Sequence, residues 1–222
     1  MGTKPISGSK SYLNLGLIEN RNGGPETPRV ITLVSSVIER TIQQNERSLK
    51  GSARKGLNTI FHGSRAPALS IRQYLERIYK YSNCSPSCFV VAYIYLDRFL
   101  HQMRDVHLTS LNAHRLLITS VMVAAKFMGE GCYNNAYFAK VGGVSTGEMN
   151  KLEMNFLFTT DFRLLVTRET FDRYCLRLEV EEAKVERWVE LPIQLCGLAQ
   201  GRTNREERNR ASSIAGYTCR AL

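Results

Sequence analysis

The sequence predicts an all-α fold, on three observations. Apolar side chains recur at helical spacing through most of the chain, and several of these runs open on a Ser, Thr or Asn cap. No segment alternates apolar and polar residues convincingly, apart from the brief run Phe162 to Val166. With 222 residues, 43% hydrophobic and 23% charged, the chain has room for one ordinary globular domain with tails.

Residues 1–29 are rich in Gly, Asn, Ser and Pro, a composition that predicts a flexible N-terminal tail. Its Thr27-Pro28 step also fits a proline-directed phosphorylation site, although such a step is commonplace before a helix. Val30, Leu33, Val34, Val37, Ile38 and Ile42 form a helical stripe over 30–46. The glycine-punctuated, basic stretch Ser48–Arg65 reads as a linker. Ile71, Tyr74, Leu75, Ile78 and Tyr79 then make one face of a short helix.

Ser85-Pro86 pairs an N-cap with proline at the first helical position, where its missing N–H costs nothing. The helix it opens is apolar nearly all round, from Phe89 to Phe99, and should be buried. Thr109 with Asn112 can cap the next helix, from about Ser110 to Met128, whose second half is polar only at Thr119, Ser120 and Lys126. A short helix around Asn135–Val141 is stopped by Gly142-Gly143. Ser145 and Glu148 form an S-x-x-E capping box that opens a helix to about Phe158, with Met149, Leu152, Phe156 and Leu157 on its apolar face. Thr167 caps a last helix bearing Phe171, Tyr174, Cys175 and Leu178.

Charge and cysteine usage narrow the function classes. Residues 70–180 contribute only +3 of the net +10, so most of the excess lies on the flanks rather than on the apolar centre. That distribution argues against a nucleic-acid-binding surface. No stretch of 18 uncharged apolar residues occurs and the N-terminus has no apolar signal region, so the expectation is an intracellular protein, nuclear or cytoplasmic, with no membrane partner. Cys84 and Cys88 are four apart, not the C-x-x-C of a ribbon or redox motif, and the four histidines form no i, i+4 pair. No metal site or cofactor is expected. Cys84 or Cys132 with a histidine could be imagined as nucleophile and base, but no spacing supports it, so no enzymatic activity is expected.

Two charges stand in apolar company. Lys126 lies in the most apolar helix, with Met122 and Val123 a turn before it and Phe127 beside it. Its stem could carry the ammonium out to water, or hold it at an apolar rim ready to pair. Glu153 shares a stripe with Met149, Phe156 and Leu157, a costly place for a charge without a partner. The two could pair with each other or together face a partner, and physical reasoning alone leaves both open.

At this point the residues resemble a known family. Ala92-Tyr93-Ile94-Tyr95-Leu96-Asp97-Arg98-Phe99-Leu100, Val123-Ala124-Ala125-Lys126-Phe127 and Leu152-Glu153-Met154-Asn155-Phe156-Leu157 look like the cyclin box, in order and spacing. Tyr137-Phe138-Ala139-Lys140-Val141-Gly142-Gly143 is similar to cyclins like the yeast phosphate-pathway cyclin. Ile38-Glu39-Arg40 and Tyr74-Leu75-Glu76-Arg77-Ile78 make plant U-type (P-type) cyclins the nearest resemblance, which covers roughly residues 28–180. It implies a single five-helix cyclin box (about 70–160) within a domain of residues 30–180, with flanking helices, and a C-terminal helix and flexible tail over 181–222.

The resemblance further implies a non-catalytic subunit that binds and activates a cyclin-dependent kinase as a heterodimer, suggestive of an A-type kinase with a PSTAIRE helix, in cell-cycle or nutrient signalling. By motif matching, Lys126 and Glu153 would contact the kinase together, with Val123, Phe127, Leu157 and Phe162 supplying apolar contacts. Asp97-Arg98 would stabilise the box internally. Some features depart from the mitotic pattern: Met128-Gly129 replaces two acidic residues after Lys126-Phe127, and the helix from Ser70 to Arg77 lacks the usual substrate-docking signature. The competing reading is a cyclin-fold scaffold that binds transcription components or nucleic acid without activating a kinase.

Overall fold

The computed structural model describes residues 8–18, 27–50, 57–130 and 134–189. They form α1 (Gly8–Asn14), α2 (Arg29–Lys50), α3 (Ile71–Ser82), α4 (Pro86–Gln102), α5 (Ala113–Met128), α6 (Asn135–Gly142), α7 (Thr146–Thr159) and α8 (Arg168–Val189). Among the described residues there is no strand, and no helix is long and apolar enough to cross a membrane.

Helices α2, α3, α6, α7 and α8 pack around the α4–α5 pair, and the apolar character of those two helices explains why. On α4, every residue from Cys88 to Leu96 is buried; on α5, so is every residue from Leu116 to Ala125. Only a position ringed by other helices can shield such surfaces. Phe99 of α4 stacks on Phe156 of α7 at 5.1 Å, and Phe61 meets both rings edge-on. Burying each of these rings contributes roughly 1.5–3 kcal/mol. A partly exposed ion pair such as Arg115–Glu148, which ties α5 to α7 at 2.6 Å, contributes roughly 0–1 kcal/mol. Packing therefore dominates the stability of this core.

Caps sit close to their expected places, with informative exceptions. Ser85 Oγ accepts the Cys88 N–H and Ser145 Oγ accepts the Glu148 N–H. The Glu148 carboxylate, expected to turn back on its own helix, is engaged by Arg115. Ser70 and Gln73 form a reciprocal capping box at the start of α3 instead. Asn112 makes no side-chain cap on α5: its Oδ1 accepts the Thr109 N–H and its Nδ2 donates to the His107 carbonyl, so it braces the loop.

Three other expectations need correction. The stretch read as a linker is ordered at both ends: α2 runs on to Lys50, and residues 57–65 lie against the α4–α5 loop through Leu57 N–H to Asp105 O and Gly63 N–H to Leu111 O. Phe61 is fully buried there, a single apolar anchor that leaves no periodic signal. Residues 51–56 lie outside the described residues. The expected flexible tail contains α1, whose Tyr12 hydroxyl donates to Asp172 on α8 while its ring packs on Phe171. Leu15 is fully buried beside it. Residues 1–7, 19–26 and the tail from 190 onward lie outside the described residues; α8 runs unbroken across the expected boundary at 180.

Phe162–Val166 is not a strand. Its carbonyls are taken by side chains of α4, as Tyr95 donates to Leu164 O at 2.6 Å and Arg98 to Arg163 O and Leu165 O at 2.6 and 3.0 Å. A backbone satisfied in this way needs no neighbouring strand. The Asp97 carboxylate accepts the Tyr174 hydroxyl at 2.5 Å, binding α4 to α8.

Candidate partner-binding site

The site is assembled where α5 ends, α6 begins and α7 passes alongside. Lys126 lies in the last turn of α5, which Gly129 terminates in the left-handed conformation. Glu153 lies mid-way along α7. Packing of α5 against α7 brings Lys126 Nζ to 2.6 Å from Glu153 Oε1.

Asn135, the first residue of α6, completes a triangle. Its Oδ1 accepts from Lys126 Nζ at 2.5 Å, and its Nδ2 donates to Glu153 Oε2 at 2.6 Å and to Asn150 Oδ1 at 2.8 Å. Each of the two charged groups thus meets the other and one amide. Such a network holds both in fixed geometry at the surface, where a lone pair of long side chains would rotate freely. Asn135 was not foreseen from sequence, because nothing in its own neighbourhood marks an amide as the bridge between two other helices.

Large apolar side chains stand exposed on α5, on α7 and in the loop that follows α7. Phe127 is 51% exposed beside Lys126, and Phe158 on α7 is 66% exposed, one turn after Met154. Phe162 (54%) meets Phe158 edge-on at 5.3 Å, and Leu165 is 74% exposed in the same loop. Large apolar side chains held in water in this number mark a contact surface more often than chance exposure. Phe162 is positioned by backbone: Asp161 and Phe162 both have φ of 53°, a left-handed conformation that side chains other than glycine adopt at a cost. The bonds from Tyr95 and Arg98 hold the loop immediately downstream. Burial pushes the Tyr95 hydroxyl up to about 12, so it remains a donor at neutral pH.

The six residues named from sequence therefore divide. Lys126 and Glu153 are joined; Phe127, next to Lys126 in the chain, and Phe162, in the loop after α7, are exposed. Leu157 is half-buried and packs against the core. Val123, at 2% exposed, lies within the core and offers no free surface to a partner. Phe158, Met154 and Leu165 went unnamed, although Phe158 and Met154 fall off the buried stripe Met149–Leu152–Phe156 and so carried a signal.

The sequence has known counterparts. The Cyclin family model matches residues 28–164. The chain belongs to the cyclin family. Among curated relatives, Cyclin-P3-1 of Oryza sativa subsp. japonica is 49% identical over 207 residues, which span 92% of this chain and 85% of that protein. Cyclin-U4-1 of Arabidopsis thaliana is 52% identical over 153 residues, 69% of this chain and 76% of its own. Cyclin-U3-1 of Arabidopsis thaliana is 49% identical over 173 residues, 77% of each. This cyclin is thus similar to the plant U-type and P-type members. Membership carries a regulatory role, in a family whose members generally partner with cyclin-dependent kinases.

Proposed function

We propose that this cyclin binds and activates a cyclin-dependent kinase, as a non-catalytic subunit of a heterodimer within the nucleus or cytoplasm, in cell-cycle or nutrient signalling. The observation that carries the reading is the Lys126–Asn135–Glu153 network, together with the exposure of Phe127 on α5 and of Phe158 and Phe162 at and after the end of α7. A fixed pair of opposite charges together with exposed aromatic side chains combines the two properties of an interface hot spot, directional polar contact and apolar area. The mobile helix of an A-type, PSTAIRE-bearing kinase is the partner element we assign to it. Docking there would favour the active arrangement of the kinase's own lysine–glutamate pair and metal-binding aspartate.

Co-expression with an A-type kinase, followed by co-purification and a histone phosphorylation assay, tests this. Stable association with a gain in kinase activity is the expected result. Association without activity would contradict the activating role, and no association with any kinase tried would favour a scaffold.

A further inference from the structure

A second cluster of chemically potent side chains lies outside the kinase-facing site. Cys84 belongs to the α3–α4 connection, Cys88 to the first turn of α4, and Glu130 follows the last residue of the α5 cap. Their ligand atoms, two Sγ and one carboxylate oxygen, all lie within 4.8 Å of one another. Cys84 and Cys88 are buried and Glu130 is half-buried. The four-residue spacing of the cysteines gave no chelate pattern in sequence; the fold supplies the third donor from a distant helix.

We propose that Cys84, Cys88 and Glu130 form a binding site for a thiophilic divalent cation, with Zn2+ the natural occupant and water the fourth ligand. Zinc takes sulfur at ~2.3 Å and carboxylate oxygen at ~2.0–2.2 Å, which sets tetrahedral donors roughly 3.3–3.8 Å apart. The present separations, up to 4.8 Å, must shorten to reach that geometry. Binding releases the two thiol protons to solvent and leaves two thiolates and one carboxylate on the ion.

Two features of the surroundings favour a cation. Glu130 sits just beyond the C-terminus of α5, where the dipole favours a cation. The carboxylate is also oriented in advance: Oε2 accepts the Ser85 N–H at 2.8 Å and Oε1 the Ser85 hydroxyl at 2.5 Å. A carboxylate has about four lone-pair positions, so these bonds leave capacity for a metal and act as the orienting outer contacts that metal ligands usually have.

The test uses the full chain, stripped of metal and kept reduced, titrated with Co2+ as a spectroscopic substitute for Zn2+. One equivalent should produce sulfur-to-cobalt charge transfer and tetrahedral ligand-field absorption, both lost on adding Zn2+. Cys84→Ser and Cys88→Ser should each abolish this tetrahedral dithiolate spectrum, and Glu130→Gln should weaken binding by about tenfold or more. A Cys132→Ser/Cys196→Ser/Cys219→Ser variant should keep the spectrum. If Cys88→Ser fails to fold, Cys84→Ser in the connecting loop decides, together with a Zn2+-dependent rise in Tm present in the wild type and absent from that variant. No thiolate spectrum in the wild type, one that survives both single cysteine variants, or one lost in the triple variant would overturn the proposal.

Discussion

Arg98 of α4 donates to the Arg163 carbonyl at 2.6 Å, across an interval that leaves Phe162 exposed on a left-handed backbone. The second arm of the same guanidinium reaches Leu165 O at 3.0 Å. One half-buried side chain of α4 thus fixes the loop that carries part of the proposed kinase surface. Removing it with Arg98→Ala should cost about 1–2 kcal/mol of stability, and should lower kinase affinity without altering helical content. Arg98→Lys should recover little, because an ammonium lacks the planar fork that spans two carbonyls. Denaturant melts and binding measured on the same preparations check both effects.

The adjacent glycines at the end of α6 should fail for different reasons when replaced. A Cβ on Gly142 would stand 2.7 Å from Ile118 Cγ1, whereas one on Gly143 meets nothing within 4 Å but sits at φ of +74°. Gly142→Ala should therefore destabilise by roughly 1–3 kcal/mol through overpacking, and Gly143→Ala by about 1–2 kcal/mol through backbone strain alone. Ile118→Ala should partly rescue the first and leave the second unchanged. A double-mutant cycle on denaturation midpoints distinguishes the two.

Acid should weaken the fold in two windows. His114 donates from Nε2 to the Leu69 carbonyl at 2.9 Å, while its buried Nδ1 has no partner. Desolvation, with Arg115 nearby, holds its pKa below the ordinary 6.5. The unfolded chain then binds the proton more tightly, so stability falls as pH drops below about 6.5. Glu46 is also depressed, chiefly by the Ser110 backbone N–H at 2.8 Å, from an ordinary 4.5. Its contribution is present above that value and lost as pH falls through the lower, folded one. Burial depresses His62 as well, so the first window is shared: His114→Gln should only partly flatten the stability profile between pH 7 and 5, and Glu46→Gln should flatten it only at lower pH.

The N-terminal helix offers a smaller test. Tyr12→Phe removes the hydroxyl that meets Asp172 but keeps the ring on Phe171. It should cost about 1 kcal/mol locally and raise amide exchange in residues 11–17, leaving exchange in α4 and α5 unchanged. Uniform acceleration throughout the domain would show that α1 is not a separately docking element.

How far these features could be read in advance depended on whether their signal was local. The α4 helix was legible because Ser85-Pro86 marks its start and its apolar run marks its burial. Lys126 and Glu153 were legible because each is a charge on an apolar stripe. Phe61 and Tyr12 were not, since a single anchoring ring in a polar segment has no period. Asn135 and Glu130 take their roles from other helices, and only the folded chain brings those helices to them. The alternation at Phe162–Val166 did not mark a strand, because its carbonyls are taken by the side chains of Tyr95 and Arg98.

The most direct measurement is the affinity of an A-type cyclin-dependent kinase for the wild-type chain and for Lys126→Ala/Glu153→Ala, with circular dichroism on both. Loss of about 2 kcal/mol or more, roughly thirtyfold in Kd, with an unchanged helical spectrum is the predicted result. Unchanged affinity, or unfolding of the double variant, would contradict the assignment of this network as the centre of the kinase interface.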